Sequence, residues 1–163
     1  MKIIILVPIY NDRESLKELI KNINLEVKDL NCEISIIIIN DASSQQILDN
    51  YENVENIHSI ELINMKENRG HARCIASGLK YIFEKKEFDY VIPMDGDGED
   101  RPEEIKNFIQ IAKQSEEKSI AGERVKRSES LFFQLCYQFH KFLTLAFTGK
   151  SIKFGNFTCL SKL

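Results

Sequence analysis

Ile34-Ser35-Ile36-Ile37-Ile38-Ile39-Asn40-Asp41 is the stretch whose reading decides the fold. Four consecutive isoleucines leave neither face of a strand polar, and a strand that is apolar on both faces belongs to a parallel sheet covered by helices on each side. A strand with one face in water would alternate with period two instead. Outward from this run, apolar segments of strand length recur at residues 3–7, 60–65, 90–94 and 119–121, and segments of helical period lie between them. Such alternation is the pattern of an α/β layer architecture with a largely parallel sheet.

The segments between the strands predict three helices. Asn11 stands as the N-cap of the first, with Glu14 at capping-box spacing and Leu16, Leu19, Ile20 and Ile23 on one face. The second carries Ile75, Leu79, Ile82 and Phe83 at the same period, and the third opens at Asp100-Arg101-Pro102-Glu103 and buries Ile105, Phe108, Ile109 and Ala112. Each polar loop follows a strand and precedes a helix. Open α/β sheets bind ligands at that carboxyl edge, so the loops beginning at Pro8, Asn40 and Asp95 are expected to converge on one crevice.

Composition excludes several classes. The 163 residues are 43% hydrophobic and 29% charged with a net charge of −3, the balance of an ordinary globular domain rather than a disordered chain. No clustered Lys/Arg footprint for nucleic acid is present, so that partner is set aside. Cys32, Cys74, Cys136 and Cys159 form no Cys-x-x-Cys pair, which points to buried free thiols in a reducing compartment. The apolar run 3–7 is closed by Pro8 and is too short for a signal peptide. No stretch reaches the roughly 18 apolar residues of a membrane span, and the chain reads as soluble or peripheral. Residues 131–147 are rich in Phe and Leu, with Gln134, Gln138 and Lys141 on a narrow polar stripe; a core helix and an interfacial helix on a membrane both stay open.

Chemistry concentrates in Met94-Asp95-Gly96-Asp97-Gly98-Glu99-Asp100. Four acidic side chains so close together repel one another unless a cation or donor groups compensate them. Carboxylates at i and i+2, with glycines letting the backbone fold close, suit a hard divalent ion that shares substrate phosphate oxygens. An EF-hand loop is excluded, because Asp100 stands where Gly is needed and Lys106 where Glu is needed. Asp100 and Glu103 also have capping-box spacing. A dinucleotide fold is disfavoured, since no Gly-x-Gly-x-x-Gly follows the first strand. His58, His71 and His140 lack metal-ligand spacing and read as surface or packing residues, while Arg124, Lys126 and Arg127 form a basic knot after the fifth strand.

Val7-Pro8-Ile9-Tyr10-Asn11-Asp12, Asn40-Asp41-Ala42-Ser43, Asn68-Arg69-Gly70-His71-Ala72-Arg73, Met94-Asp95-Gly96-Asp97 with Asp100-Arg101-Pro102-Glu103, and Gly122-Glu123-Arg124 stand in an order that resembles family-2 glycosyltransferases. The closest likeness is to the polyprenyl-phosphate sugar transferases, and the tail from Gly155 to Lys162 resembles a segment of that group as well. The resemblance implies a GT-A-like three-layer α/β/α fold with a mostly parallel central sheet. It implies that Pro8, Tyr10, Asp12 and Asp41 line a nucleoside pocket, that Arg73 faces the donor, and that Asp97, helped by Asp95, holds Mg2+ or Mn2+ on the diphosphate of a UDP- or GDP-sugar. Arg124 and Arg127 would meet an acceptor phosphate, and Asp100 would be the base if the acceptor were a hydroxyl.

By the same resemblance the chain is one catalytic domain, with residues 1–123 on the donor side and 124–163 on the acceptor side, lacking a C-terminal acceptor-side or membrane segment. The implied activity is inverting transfer of a hexose to a polyprenyl phosphate at the cytoplasmic face of the membrane. Transfer to a glycan hydroxyl and a nucleotide-sugar-binding module without turnover stay open as alternatives, as does a homo-oligomer.

Overall fold

The structure is a computed structural model that describes residues 1–47, 51–98, 100–114, 118–122, 139, 147 and 157–162. The chain divides into two compact units, one of Met1–Ile120 with Phe157–Leu163 and one of Ala121–Asn156. The expected 131–147 helix, the basic residues Arg124, Lys126 and Arg127, and His140 lie outside the described residues apart from positions 139 and 147.

The chain forms a six-stranded sheet. Its strands are β1 (Lys2–Ile9), β2 (Glu33–Asn40), β3 (Ser59–Asn64), β4 (Tyr90–Pro93), β5 (Ile120–Ala121) and β6 (Thr158–Ser161), in the order β3-β2-β1-β4-β6-β5. β1 pairs in parallel with β2 and β4, and β2 in parallel with β3. The carboxyl ends of these four strands therefore share one edge. β6 is antiparallel to β4, with Tyr90 opposite Ser161 and Val91 opposite Leu160. The sheet is mostly parallel, as the isoleucine run predicts.

Both faces of the sheet are covered, which makes three layers. Ile3, Ile5, Val7, Ile34, Ile36 and Ile38 point to one side, against α1 (Arg13–Glu26) and α3 (Ile105–Gln114). The alternate residues Ile4, Leu6, Ile37 and Ile39 point to the other, against α2 (His71–Lys85). Period-two alternation of side chains thus turns one apolar run into two cores. Among the described residues no helix is long and apolar enough to cross a membrane.

Two local expectations are corrected. The N-cap of α1 is Asp12, whose Oδ1 accepts the Ser15 N–H at 3.2 Å. Asn11 is drawn out of that role because it takes a left-handed φ of 52° and its Oδ1 accepts from Ser44 N, Ser44 Oγ and Gln45 N across the edge of the sheet. In α2 the buried line is Cys74, Gly78 and Ile82, with Ile75 and Leu79 half-buried and Phe83 49% exposed. The helix rotates this way because it approaches the sheet at Gly78, where an added Cβ would stand 2.4 Å from Leu6 Cδ1 and 2.8 Å from Ile39 Cγ1. A hydrophobic count along the sequence does not register the missing side chain that permits this. β6 has no counterpart among the expected strands: Thr-Cys-Leu-Ser is short and half polar, so nothing local marks it as a strand. α3 matches its expected face of Ile105, Phe108, Ile109 and Ala112, after a 3-10 turn at Pro102–Glu104.

Candidate active site

A cleft of about 170 Å³ opens at the carboxyl edge of β1 and β4, lined by Pro8, Ile9, Tyr10, Asp12, His71, Asp95, Gly96 and Asp97. Five of the residues singled out in the sequence, Pro8, Tyr10, Asp12, Asp95 and Asp97, meet there. β1 delivers Pro8 in its buried final stretch and turns outward so that Tyr10 is 53% exposed. β4 delivers the acidic loop. Met94 N–H still donates to Leu6 O at 2.9 Å, and then Asp95 N–H donates to Asp100 Oδ2 at 2.9 Å, so the loop closes on itself. The turn needs its glycines for two different reasons. Gly98 has φ +82°, and an added Cβ on Gly96 would lie 3.0 Å from the Pro8 carbonyl oxygen.

The remaining expected residues stand elsewhere. Asp41 is 3% exposed, and its two carboxylate oxygens accept the N–H groups of Arg69 and Gly70 at 2.8 Å each. It therefore braces the turn that starts α2 and is not among the described lining residues. Asn40 supports the same edge, donating Nδ2–H to Asn64 Oδ1 at 2.7 Å and accepting from Ser43 N. Arg73 is exposed in the first turn of α2, outside the lining. Asp100 touches the site through the Asp95 backbone and is also outside the lining. Arg124 and Arg127 fall outside the described residues.

His71 is the lining residue that the sequence reading passed over. It is the first residue of α2, with its Nε2 3.3 Å from Asp95 Oδ1. Metal-ligand spacing is the wrong test for it; the usable signal is its place at the start of the helix that follows β3, on the same edge as the acidic turn. Beneath α2, Cys74 is fully buried and donates to Ile39 O at 3.2 Å. Burial, and then the neighbouring Asp41 carboxylate, push its thiol up to about 11. It stays a neutral thiol near pH 7 and is no nucleophile there.

Electrostatics decide what the cleft accepts. Its described lining carries three carboxylates, Asp12, Asp95 and Asp97, and no Lys or Arg. At about 4 Å and an effective dielectric of about 20, each carboxylate would repel a phosphate charge by about 4 kcal/mol. Hard oxygen donors at i and i+2 fit a divalent cation that completes its shell with water and phosphate. Among the described residues, no group of three or more His, Cys, Asp or Glu is arranged to hold a metal by itself.

Fold and cleft together define a GT-A-like α/β domain. The chain belongs to glycosyl transferase family 2, whose family model matches residues 4–160. It is 28% identical over 162 residues to an undecaprenyl-phosphate 4-deoxy-4-formamido-L-arabinose transferase of Proteus mirabilis, an alignment that covers 98% of this chain and 47% of that protein. The chain thus spans about half the length of that relative. In structure it is similar to glucosyl-3-phosphoglycerate synthase from Mycobacterium tuberculosis in complex with UDP, with a TM-score of 0.64 and 13% identity over 98% of this chain and 56% of that one. It is also similar to the mannosyltransferase PcManGT from Pyrobaculum calidifontis in complex with GDP-Man and Mn2+, with a TM-score of 0.56 and 17% identity over 77% of this chain and 35% of that one.

Proposed function

We propose that this chain carries the donor site of a metal-dependent, inverting transferase that moves a hexose from a nucleotide diphosphate to a polyprenyl phosphate. The observation that carries this reading is the cleft with three carboxylates and no Lys or Arg among its described lining, which suits an anionic donor best when a cation comes with it. When bound there, Mg2+ or Mn2+ supplies neutralisation of the charge that builds on the departing diphosphate. Asp95 and Asp97 would hold it. The exposed ring of Tyr10 offers a stacking face for the nucleobase, a contact worth about 1–3 kcal/mol per base in comparable settings. Asp12, whose Oδ1 is committed to the α1 cap, lines the same wall and would accept from a ribose hydroxyl through its other oxygen.

The place of Asp100 supports a phosphate acceptor over a hydroxyl. A hydroxyl acceptor needs a carboxylate base at the reacting atoms. Asp100 Oδ2 instead accepts the Asp95 N–H, and Asp100 is not in the described lining. A phosphate acceptor with a second pKa of about 6 is ionised near neutral pH and attacks without a base. The polyprenyl-phosphate relative points the same way, although its named sugar is an arabinose derivative and not a hexose. In this reading Arg124 and Arg127 hold the acceptor phosphate and Arg73 lies on the donor side.

Calorimetric titration of the purified chain with UDP-, GDP- and dTDP-sugars, with and without Mn2+, tests the reading. Binding of one nucleotide class only with Mn2+ present, and its loss in Asp97→Asn, is expected. No binding to any donor would end it. Asp100→Asn keeps an acceptor oxygen for the Asp95 N–H, so transfer to a lipid phosphate should survive it, whereas transfer to a glycan hydroxyl should not.

A further inference from the structure

We propose that His71 is a positioning residue for Asp95, the terminal link of a rigid connection that starts at the end of β2; this rests on the donor-site reading above. The connection can be followed atom by atom. Asp41, at the end of β2, takes the Gly70 N–H on Oδ2 at 2.8 Å and the Arg69 N–H on Oδ1 at 2.8 Å. Gly70 is the N-cap of α2, with φ 84° and no side-chain capping bond of its own, so the carboxylate of Asp41 fixes where the helix begins. The next residue is His71, whose backbone is thereby set and whose Nε2 reaches to 3.3 Å from Asp95 Oδ1.

Asp95 is then held at two points by different elements. Its backbone N–H is tied to Asp100 Oδ2 at the start of the third helical segment, and its carboxylate lies against His71 at the start of α2. A neutral imidazole with its proton on Nε2 suffices for this contact, since a carboxylate only accepts. The consequence is a carboxylate restrained before a cation arrives, so less side-chain freedom is lost on binding. Partners that orient ligating groups in this way typically affect metal affinity by 10–100-fold. Nothing about the fold requires the imidazole: its side chain is 57% exposed and belongs to neither buried core.

The test measures Mn2+ binding to the purified chain by electron paramagnetic resonance, with Mn2+ alone and with Mn2+ plus UDP, alongside a thermal melt. His71→Ala should weaken Mn2+ binding about tenfold. His71→Gln, which keeps an N–H donor on a side chain of similar reach, should recover most of that loss, and His71→Phe should not. All three should melt within about 2 °C of the unmodified chain, as expected for an exposed position. Equal Mn2+ affinity in His71→Ala, or no recovery in His71→Gln, would overturn the proposal while leaving the donor-site reading intact, provided Asp97→Asn still loses Mn2+. If the unmodified chain binds no Mn2+, or Asp97→Asn binds it equally well, both fall together.

Discussion

Replacing Asp41 by asparagine keeps shape and removes one acceptor, which makes it a direct probe of the brace beneath α2. The native carboxylate is 3% exposed and receives two backbone N–H groups, from Arg69 and Gly70, at 2.8 Å each. Asparagine can satisfy one of them with its carbonyl oxygen, but its amide NH2 then faces the other donor. A hydrogen bond to a charged group contributes about 1.5–3 kcal/mol, and a released donor in a dry site would add a similar desolvation cost. Arg69 and Gly70 are themselves exposed, so the released N–H can reach water and that second cost is small. The expected loss is therefore about 2 kcal/mol, which for a chain of this size is a fall in melting temperature of about 4–8 °C. Urea unfolding followed by circular dichroism reads it directly, with a lower midpoint and an unchanged slope. Because the same brace sets the start of α2, Mn2+ affinity should fall as well. A variant that melts within about 1 °C of the original chain would refute the idea that Asp41 holds this turn.

Ala42 has a left-handed φ of 57°, so Ala42→Gly should stabilise the chain by about 0.5–1 kcal/mol after the extra freedom of glycine in the unfolded state is counted, visible as a higher urea midpoint. Gly96→Ala places a Cβ 3.0 Å from the Pro8 carbonyl oxygen, which cannot rotate away; a loss of about 1–2 kcal/mol and weaker Mn2+ binding should appear together in melts and spin-resonance titrations. Burial pushes the thiol of Cys159 up to about 12, and burial together with Asp41 pushes that of Cys74 to about 11, from an ordinary 9.0. The folded chain then keeps protons that the unfolded chain releases, so stability is lost as pH rises from 9.0 through about 11 for Cys74 and about 12 for Cys159, and replacing both thiols by alanine should flatten that slope in urea titrations across the range.

Periodicity and composition determined the architecture. Four isoleucines in a row are best satisfied between two helical layers, and the parallel strands β1 to β4 and the three helices follow from this, because burial of apolar surface is read locally along the chain. The acidic turn was legible as a local cluster, because residues 95 and 97 are near neighbours in sequence and both line the cleft. What the sequence could not carry is every feature made by residues far apart in the chain. β6 exists because β4, some seventy positions earlier, offers it an edge. Asp41 acquires its bracing hydrogen bonds only when the turn at Arg69–Gly70 folds onto it. Asn11 gives up its cap to hold Ser44 and Gln45, Gly78 sets the rotation of α2 through contact with Leu6 and Ile39, and His71 enters the cleft because α2 begins beside the end of β4. Hydrogen-bond donors and close-packed surfaces find their partners in space, and a carboxylate with no local donor shows its role only once tertiary structure has chosen one for it.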